Sequence, residues 1–291
     1  VRSRRQRQMC IRDRVNDIMM HPKLKCILCH KKELNIIKTI NKKPDVEVDY
    51  KIPESKYLRF IYHCSNCSVY YNFHNLLNDD IYTGQYNKSI EEGVINKRFQ
   101  KIITLNDKKS DNKNRVHRIN DFCNYISPSK KRIFDIGSGT CVFLYEMKKL
   151  GYKTFCIDPD PSAIEHAREV VQVNNAYCGN ILDTNININF DLITFNKVLE
   201  HIINPVDYLK KSHDLLKKDG ILYIELPEGD RIVNNDMIES RAEFAVEHFS
   251  IYNKKSMNYL INSSEFKILK SEIITDPSGK NTIYAFAKKN N

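Results

Sequence analysis

The stretch RIFDIGSGTCVFLYEMKKLGYKTFCID, residues 132–158, decides the fold because it places a strand, a glycine turn, a helix, a second strand and an acid in that order. The apolar run around Asp135 is typical of a buried strand, and Gly137 and Gly139 permit a tight turn with close approach of the backbone. In an open α/β sheet, ligands bind beyond the carboxyl ends of the strands, and an acid about 20 residues after the glycine turn can accept hydrogen bonds from ribose hydroxyls. The order therefore predicts a nucleotide-binding crevice with Asp158 at its edge.

The helix after the glycine turn is predicted from apolar residues at helical spacing, namely Phe143, Leu144, Met147 and Leu150. Further along, NFDLITF at residues 189–195 has the pattern of another buried strand. Pro205 then opens a predicted helix with Val206, Leu209 and Leu216 on one face, which we expect Asp219 and Gly220 to end. The pattern continues with a strand at 221–226, a helix at 256–262, and two final strands at 265–274 and 281–289 joined by a turn at Ser278 and Gly279.

The overall composition allows one large domain and a small one, since the chain has 291 residues and 41% of them are hydrophobic. No stretch approaches about 18 uninterrupted apolar residues, so we predict no membrane span. Four of the nine cysteines form two tight pairs, which suits a reducing cytoplasm better than a disulfide scaffold.

The first residues, VRSRRQRQMCIRDR, differ from the rest of the chain in their arginine content. Residues 1–18 hold six arginines against Asp13 and Asp17, a net charge of +4, which leaves +6 of the chain's +10 for the remainder. This head resembles the translation of a sequencing-adapter read-through, so we predict a non-native basic leader over residues 1–19. A basic arm for nucleic acid or anionic lipid is the competing interpretation.

Two CxxC pairs, Cys26 with Cys29 and Cys64 with Cys67, are separated by 34 residues. Two such knuckles supply the four thiolates that a structural zinc ion takes tetrahedrally, and four cysteines leave no open position for catalysis. Strand-like runs at 34–40 and 57–62 fit a ribbon between the knuckles. A ribbon this small buries little apolar area, so we expect zinc binding to be part of its folding energy. Buried free cysteines are the alternative interpretation.

The ordered motifs FDLI, VLEHI and LLKKDGILYIELP, with the glycine turn before them, resemble class I S-adenosylmethionine-dependent methyltransferases over residues 118–289. The resemblance implies an α/β fold with a Rossmann-like, doubly wound, mostly parallel seven-stranded sheet, and S-adenosylmethionine as cofactor. It implies that Asp135 and the backbone at Gly137 and Gly139 hold the methionine moiety. It assigns Asp158 to the ribose and Asp183 to the adenine edge, and it places Asn196 among the cofactor-binding residues.

One departure from the methyltransferase pattern is Cys141, which stands where that family often has a third glycine. We expect its side chain to narrow the approach to the cofactor. With the resemblance, the chain divides into the leader at 1–19, a zinc-ribbon-like domain at 20–77, a helical connector at 78–118 and a methyltransferase domain at 119–291 with a C-terminal strand pair. In the connector, Tyr82 and Tyr86 resemble aromatic residues that related enzymes bring over the methyl-donor pocket, and 106–114 is predicted to be a solvated loop.

Two histidines are the candidate acid–base groups, because imidazole titrates near neutrality. His201 follows a predicted strand on the crevice side, and His248 has Glu247 beside it. Together with the double-knuckle front, these residues resemble the sugar-nucleotide C-methyltransferases, which methylate a ketosugar carbon after base-assisted enolisation. The chain departs from that family at Ala245, where the family has tyrosine, and at DPSGK, residues 276–280, where it has a His-Gly-Gly segment.

The acceptor is therefore predicted to be a small polar molecule, with a sugar nucleotide or glycan precursor favoured and with C-, O- and N-methylation all open. An RNA base methyltransferase with a zinc-ribbon RNA-binding domain is the runner-up; the long gap between the knuckles and the lack of an aromatic-flanked basic stripe make nucleic acid the less favoured partner. A non-catalytic binding module on a cofactor-binding fold is the third possibility, suggested only by Cys141.

Overall fold

The computed structural model describes residues 25–45, 47, 54, 57–74, 94–123, 131–230 and 238–290. The predicted leader at 1–19 and the two connector tyrosines, Tyr82 and Tyr86, lie outside these residues. Within the described parts of the chain, every helix is too short or too polar to cross a bilayer.

Strands and helices alternate through the central part of the chain. In chain order, the described strands are β1 Leu34–Ile40, β2 Arg59–Cys64, β3 Tyr70–His74, β4 Arg132–Ile136, β5 Lys153–Asp158, β6 Asn175–Cys178, β7 Phe190–Asn196, β8 Leu216–Pro227, β9 Ser250–Ile251, β10 Phe266–Thr275 and β11 Asn281–Lys289. The described α-helices are α1 Val94–Ile103, α2 Asp111–Phe122, α3 Val142–Lys149, α4 Pro161–His166, α5 Pro205–Leu215 and α6 Lys254–Asn262.

The chain divides into two units. One combines Val1–Asn87 with Glu200–Ile203 and Glu228–Tyr259, and the other combines Lys88–Leu199 with Asn204–Pro227 and Leu260–Asn291. We call the first the cysteine unit and the second the sheet unit. Two segments of the cysteine unit thus come from the C-terminal half of the chain; the domain boundaries at 77 and 118 stay predictions.

The sheet unit is built on a seven-stranded sheet in the order β10-β11-β8-β7-β4-β5-β6. The pairs from β8 through β6 are parallel, whereas β11 runs antiparallel to β8 and to β10. The chain moves from β4 to β5 and β6 on one side, and then returns to β7 on the other side of β4. The carboxyl end of β4 is therefore a topological switch point, where such sheets bind ligands. This topology confirms the predicted mostly parallel seven-stranded sheet and the final antiparallel strand pair.

Helices α1, α2 and α3 contribute to one apolar core against this sheet, through residues that include Phe99, Ile119 and Met147. Phe143 and Leu144 are buried as their spacing predicts, but the placement of Leu150 on the same face is wrong, since 42% of its surface is exposed. Leu150 is the C-cap of α3, where the chain has already left the helix. Helical periodicity no longer sets its direction there.

The predicted end of the fifth helix at Asp219 and Gly220 is also wrong. Helix α5 ends at Leu215, and Leu216 is the buried first residue of β8, paired with Phe190 of β7. A Cβ atom at Gly220 would lie 2.8 Å from Leu216 Cδ2 and 3.1 Å from the Lys217 carbonyl oxygen. The glycine thus permits a tight irregularity inside the strand, where the β7–β8 register shifts, and does not end the helix.

The predicted loop at 106–114 is shorter than expected. Helix α2 begins at Asp111, and the Ser110 side chain caps it by accepting a hydrogen bond from the Lys113 backbone N–H. A serine N-cap with an acid in the first turn stabilises a helix start, and these signals outweigh the polar composition of the segment. Helix α1 lies within the predicted connector at 78–118, and α2 begins in it and continues to Phe122; the connector itself stays a prediction.

The cysteine unit contains a four-stranded antiparallel sheet in the order β1-β2-β3-β9. The prediction of β1 matches its observed bounds, and β2 begins and ends two residues later than predicted. A small apolar core lies in this unit and includes Ile61, Tyr70, Phe244 and Val246. The segment Glu228–Tyr259 therefore contributes to the core of this unit, together with the strands next to the two knuckles.

Candidate functional site

The glycine turn after β4 needs glycine at its first position for two reasons. Gly137 has φ +72°, and a Cβ atom there would lie 2.7 Å from Val198 Cγ2, closer than real contacts allow. Its backbone N–H donates to the Ile157 carbonyl oxygen at 2.8 Å, which fixes the turn against β5. Gly139 has φ +48° but open space beside it, with no atom within 4 Å of an added Cβ. The turn is thus packed on one side and open beside its second glycine.

Asp158 lies at the carboxyl end of β5, directly beside this turn. Its Oδ2 accepts a hydrogen bond from the Gly139 N–H at 2.9 Å, and its Oδ1 accepts one from the Asp160 N–H at 2.9 Å. Burial raises the pKa of the Asp158 carboxyl above its ordinary value, and these two backbone donors oppose that rise. A carboxylate offers about four lone-pair positions, so Asp158 can accept further hydrogen bonds beyond those from these two backbone donors. The acid both closes the turn and retains capacity for a ligand.

Asp135 is buried in β4 and joined to the neighbouring strand β7. Its Oδ1 accepts hydrogen bonds from Thr194 Oγ1 at 2.6 Å and from Asn196 Nδ2 at 2.8 Å. Burial raises the pKa of the Asp135 carboxyl to about 7, against the effect of these donors and of the Arg115 charge. The structure thus brings together Asp135 and Asn196, two residues that the sequence assigned separately, and adds Thr194, which no motif had indicated.

Asp183 is exposed, on the turn that follows β6. Its N–H donates to the Asn180 carbonyl oxygen at 3.1 Å, and the Asn180 side chain accepts from the Leu182 N–H and donates to the Tyr208 hydroxyl. Asn180 therefore holds the shape of the segment that presents Asp183. Its signal in the sequence is the Asn-x-x-Asp spacing, in which an asparagine side chain closes a turn on its own backbone.

Cys141 does not narrow the crevice as predicted. It is the N-cap of α3, with φ +55°, and only 1% of its surface is exposed. The thiol interacts with the Cys156 side chain of β5, which raises the pKa of Cys141 well above its ordinary value together with burial. Both cysteines belong to the apolar core of the sheet unit. The side chain that replaces a glycine is accommodated because it points into this core.

The four cysteines of the predicted metal site come together in the cysteine unit. All four are buried, and their Sγ atoms lie within 4.8 Å of one another. Cys26 Sγ is 3.5 Å from Cys67 Sγ, and Cys29 Sγ is 3.6 Å from Cys64 Sγ. Tetrahedral zinc with Zn–S bonds of about 2.3 Å separates its sulfur ligands by about 3.8 Å. The donor set and its spacing fit a zinc ion.

The two knuckles repeat one backbone pattern. The N–H of Cys26 donates to the Lys31 carbonyl and the N–H of His30 to the Cys26 carbonyl, both at 2.8 Å. In the second knuckle, Cys64 and Ser68 make the equivalent bonds to Val69 and to Cys64, at 3.0 and 2.8 Å. His30 and Ser68 both have positive φ, 58° and 62°. Two sequences that differ at almost every other position thus adopt the same loop around their cysteines.

Additional hydrogen bonds favour the thiolate form of Cys26, whereas burial raises the pKa of Cys64 to about 11 and the hydrogen bond with Cys26 raises the pKa of Cys67. The Cys29 N–H donates to Cys26 Sγ at 3.4 Å, and Tyr71 Oη lies 3.3 Å from the same sulfur while it accepts from the Leu28 N–H. The pKa of Cys26 is lowered to about 5, and the largest cause is its hydrogen bond with the Cys67 side chain. Metal ions bind the thiolate form of cysteine. Tyr71 is a supporting residue that the CxxC pattern alone does not reveal.

The predicted acid–base residues lie together within the cysteine unit. His201 Nδ1 is 3.0 Å from the Glu247 carbonyl oxygen, and His248 Nδ1 is 2.9 Å from the Glu243 carbonyl oxygen. The two imidazole rings are 4.8 Å apart between centroids and inclined at 72°. In this contact with His201, the group that Glu247 contributes is its backbone carbonyl oxygen. Glu200, which the sequence had not singled out, joins the two histidines in one cluster.

The mostly parallel seven-stranded sheet, with a glycine turn at the switch point and an acid after the next strand, is the architecture of class I S-adenosylmethionine-dependent methyltransferase domains. The family model described as "Methyltransferase domain" matches residues 111–271, more than half of the chain. The chain therefore belongs to this methyltransferase-domain family.

Two curated relatives show similarity over about a third of the chain. The mitochondrial ubiquinone biosynthesis O-methyltransferase of Schizosaccharomyces pombe is 29% identical over 103 residues, which are 33% of this chain and 38% of that protein. The ribosomal protein L11 methyltransferase of Thermosipho africanus is 34% identical over 104 residues, 34% of this chain and 38% of that protein. The chain thus spans less than half of the length of each.

Among solved structures, the chain is similar to 1,6-didemethyltoxoflavin-N1-methyltransferase of Burkholderia thailandensis, with a TM-score of 0.54 and 14% sequence identity. The similarity covers 80% of this chain and 96% of that one. At this identity the comparison shows the fold.

Proposed function

We propose that the protein transfers a methyl group from S-adenosylmethionine to a small polar acceptor, of which a sugar nucleotide or glycan precursor is the favoured class. The observation that carries the proposal is the Asp158 carboxylate at the end of β5, bonded to the Gly139 N–H of the turn that follows β4. This arrangement sets an acid and an open glycine turn at the switch point of the sheet, where nucleotides bind. The solved fold neighbour holds S-adenosylhomocysteine, in keeping with this choice of cofactor.

In this proposal, the residues of the sheet unit divide the cofactor between them. Asp135 and the backbone at Gly137 and Gly139 hold the methionine moiety, and Asn196 keeps the Asp135 carboxylate in place through its 2.8 Å hydrogen bond. Asp158 binds the ribose hydroxyls. Asp183, on the turn that Asn180 shapes, accepts a hydrogen bond from the adenine edge.

The sulfonium supplies an activated methyl group, so the protein needs mainly to align the acceptor and to exclude water. A base is required only where the acceptor must lose a proton. His201 and His248, with Glu247 beside them, are our candidates for that role. Their support is the close pairing of the two rings and the sequence resemblance to sugar-nucleotide C-methyltransferases.

The four cysteines hold a structural zinc ion in our proposal. The support is the pair of matched knuckles and the spacing of the four sulfur atoms. A closed shell of four thiolates leaves no position for an acceptor, so the ion would stabilise the cysteine unit and take no part in methyl transfer.

Cofactor binding is tested by calorimetric titration with S-adenosylhomocysteine. We expect saturable binding by the unaltered protein and at least a tenfold weakening in Asp158→Asn, because the amide replaces a charged acceptor of ribose hydrogen bonds. Asp214→Asn, an exposed acid of α5, is the matched control and should bind normally. An absence of saturable binding by the unaltered protein would leave a non-catalytic module.

The acceptor is tested by transfer of a labelled methyl group to a panel of sugar nucleotides and to bulk RNA. Label on a sugar nucleotide, with little dependence on salt, supports the favoured class. Label on RNA, with binding that weakens steeply as salt rises, would replace it with the RNA methyltransferase alternative.

A further inference from the structure

We propose that Glu200, His201 and His248 form a second metal site, which binds a divalent first-row transition-metal ion and is distinct from the four-cysteine site. One carboxylate oxygen and one ring nitrogen from each histidine lie within 4.8 Å of one another. Ligands held at about 2.1 Å from one ion are up to about 4.2 Å apart, so small side-chain movements bring all three donors to a single ion. The three residues belong to the same unit of the chain. Two imidazoles and one carboxylate are a ligand set that zinc, iron(II) and related ions take in proteins.

The tautomers of the two histidines suit this role. Each Nδ1 lies within 3.0 Å of a backbone carbonyl oxygen, that of Glu247 for His201 and that of Glu243 for His248. A carbonyl oxygen can only accept, so each Nδ1 carries the proton, and a neutral imidazole protonated there has its lone pair at Nε2. Metal-ligating histidines typically donate their other ring N–H to a carbonyl or carboxylate in this way.

The backbone holds the ligands in place from both segments of the chain. The Phe249 N–H donates to the Glu200 carbonyl oxygen at 2.7 Å, next to the bond from His201 to Glu247. The His248 N–H donates to the Ala245 carbonyl oxygen at 3.0 Å, which closes the turn that carries this histidine. Ligands that are fixed before the ion arrives lose little conformational entropy when it binds.

The charge and exposure of the cluster also suit a cation. Glu200 is 1% exposed, and a carboxylate in such surroundings is stabilised by a positive charge close to it. The two histidines are only partly buried, which leaves a route for an ion from solvent. Nitrogen and oxygen donors distinguish this set from the sulfur donors of the four cysteines, so the two sites differ in the ions they prefer.

A bound ion would take the Nε2 lone pairs that a general base would use. His201 and His248 can therefore serve as the proposed base only in protein that does not hold this ion. Three protein ligands leave coordination positions open, and these accept water or an oxygen-bearing ligand. The metal site does not depend on the proposed methyl transfer, because the ion can be measured without cofactor or acceptor.

The test measures cobalt(II) binding by untagged protein whose four-cysteine site has been filled with zinc. We expect one equivalent of cobalt to bind with weak visible absorption and without the intense near-ultraviolet band that thiolate ligands give. His248→Ala and Glu200→Gln should each weaken cobalt binding at least tenfold. His63→Ala, a partly buried histidine of the same unit outside the cluster, is the matched control and should bind cobalt as the unaltered protein does.

Glu200→Gln keeps the size of the side chain, and its circular dichroism and thermal unfolding are compared with those of the unaltered protein. Weakened cobalt binding with unchanged unfolding supports the site. Cobalt binding that is unchanged in both cluster variants, or a cobalt spectrum with a thiolate band and no other, would overturn it. Failure of S-adenosylhomocysteine to bind would remove the proposed function and leave this result as it stands.

Discussion

The sheet unit and the cysteine unit assemble their polar groups in different ways. In the sheet unit, Asp135, Gly139 and Asp158 lie within one stretch of 24 residues, and the parallel pairing of β4 with β5 brings them to one edge. In the cysteine unit, the knuckles join residues 26 and 67, and the histidine cluster joins residues 201 and 248. The first arrangement follows from backbone topology, whereas the second depends on side chains from distant segments.

The two units also differ in the amount of apolar material that holds them. The described core of the sheet unit includes side chains from four helices, α1 to α4, and from one face of the central strands. The described core of the cysteine unit is a small group around Ile61, Tyr70 and Phe244. Small cores supply little stability, and metals commonly make up the difference. The comparison predicts that the folding of the cysteine unit depends on the proposed zinc ion and that the folding of the sheet unit does not.

Removal of zinc gives the largest expected effect. Chelation of the proposed zinc ion should abolish hydrogen-exchange protection in β1, β2 and β3 while β4 and β7 stay protected, because this ion would contribute to the folding energy of the small unit alone. Cys64→Ser should reproduce the loss without chelator. The matched control is Cys178→Ser, an exposed cysteine of the sheet unit, which should leave both units protected. Full protection of β1 to β3 after verified loss of the ion would contradict a structural role.

The two glycines of the turn provide a smaller and sharper test within the sheet unit. Gly137→Ala should lower the free energy of unfolding by about 2–4 kcal/mol, since it combines a left-handed φ with a contact of 2.7 Å to Val198. Gly139→Ala has the strained φ without the contact, so about 1–2 kcal/mol is expected. Urea unfolding of the two variants measures the difference.

Binding of S-adenosylhomocysteine separates these glycines further. The open space beside Gly139 is where we place the ligand. A methyl group there should obstruct the ligand, so Gly139→Ala should weaken binding by more than backbone strain alone would. Gly151→Ala, which also has a positive φ and open surroundings but follows α3, is the control for strain alone. Equal affinities of the Gly139 and Gly151 variants would remove the glycine turn from the site.

The sequence was sufficient wherever local order determines structure. The strand–turn–helix–strand order of 132–158, the start of α5 at Pro205 and the two CxxC knuckles all follow from spacing and from the preferences of glycine, proline and cysteine. Errors occurred where a tertiary contact outweighs a local preference. Leu216 pairs with Phe190 in the sheet although its spacing suits the helix. The Cys141 side chain was expected to narrow the crevice, but it packs against Cys156 in the core.

Residues recruited across long distances in sequence could not be predicted. Tyr71 supports Cys26 from 45 residues away, and Thr194 supports Asp135 from 59 residues away. No periodicity or spacing records such pairs, because they depend on which strands become neighbours in the sheets. Glu200 went unremarked for the same reason, since its partners in the cluster include a histidine 48 positions further on.

The smallest expected effect concerns the pH dependence of cofactor binding. In the folded protein the pKa of Asp135 is raised to about 7, above its value of about 3.9 in an unfolded chain. Between these values the folded state binds more protons than the unfolded state, so the contribution of Asp135 to stability falls as pH rises from 4 to 7. A positively charged ammonium group of the ligand beside Asp135 favours the ionised carboxylate, so the pKa of Asp135 should be lower in the complex than in the free protein.

Calorimetric titration with S-adenosylhomocysteine should therefore show release of up to one proton near pH 6 and an affinity that increases several-fold towards pH 8. Neither effect should occur in Asp135→Asn. Proton release that persists in Asp135→Asn would assign the titration to another group, and an affinity independent of pH in the unaltered protein would show that Asp135 does not contact the ammonium group.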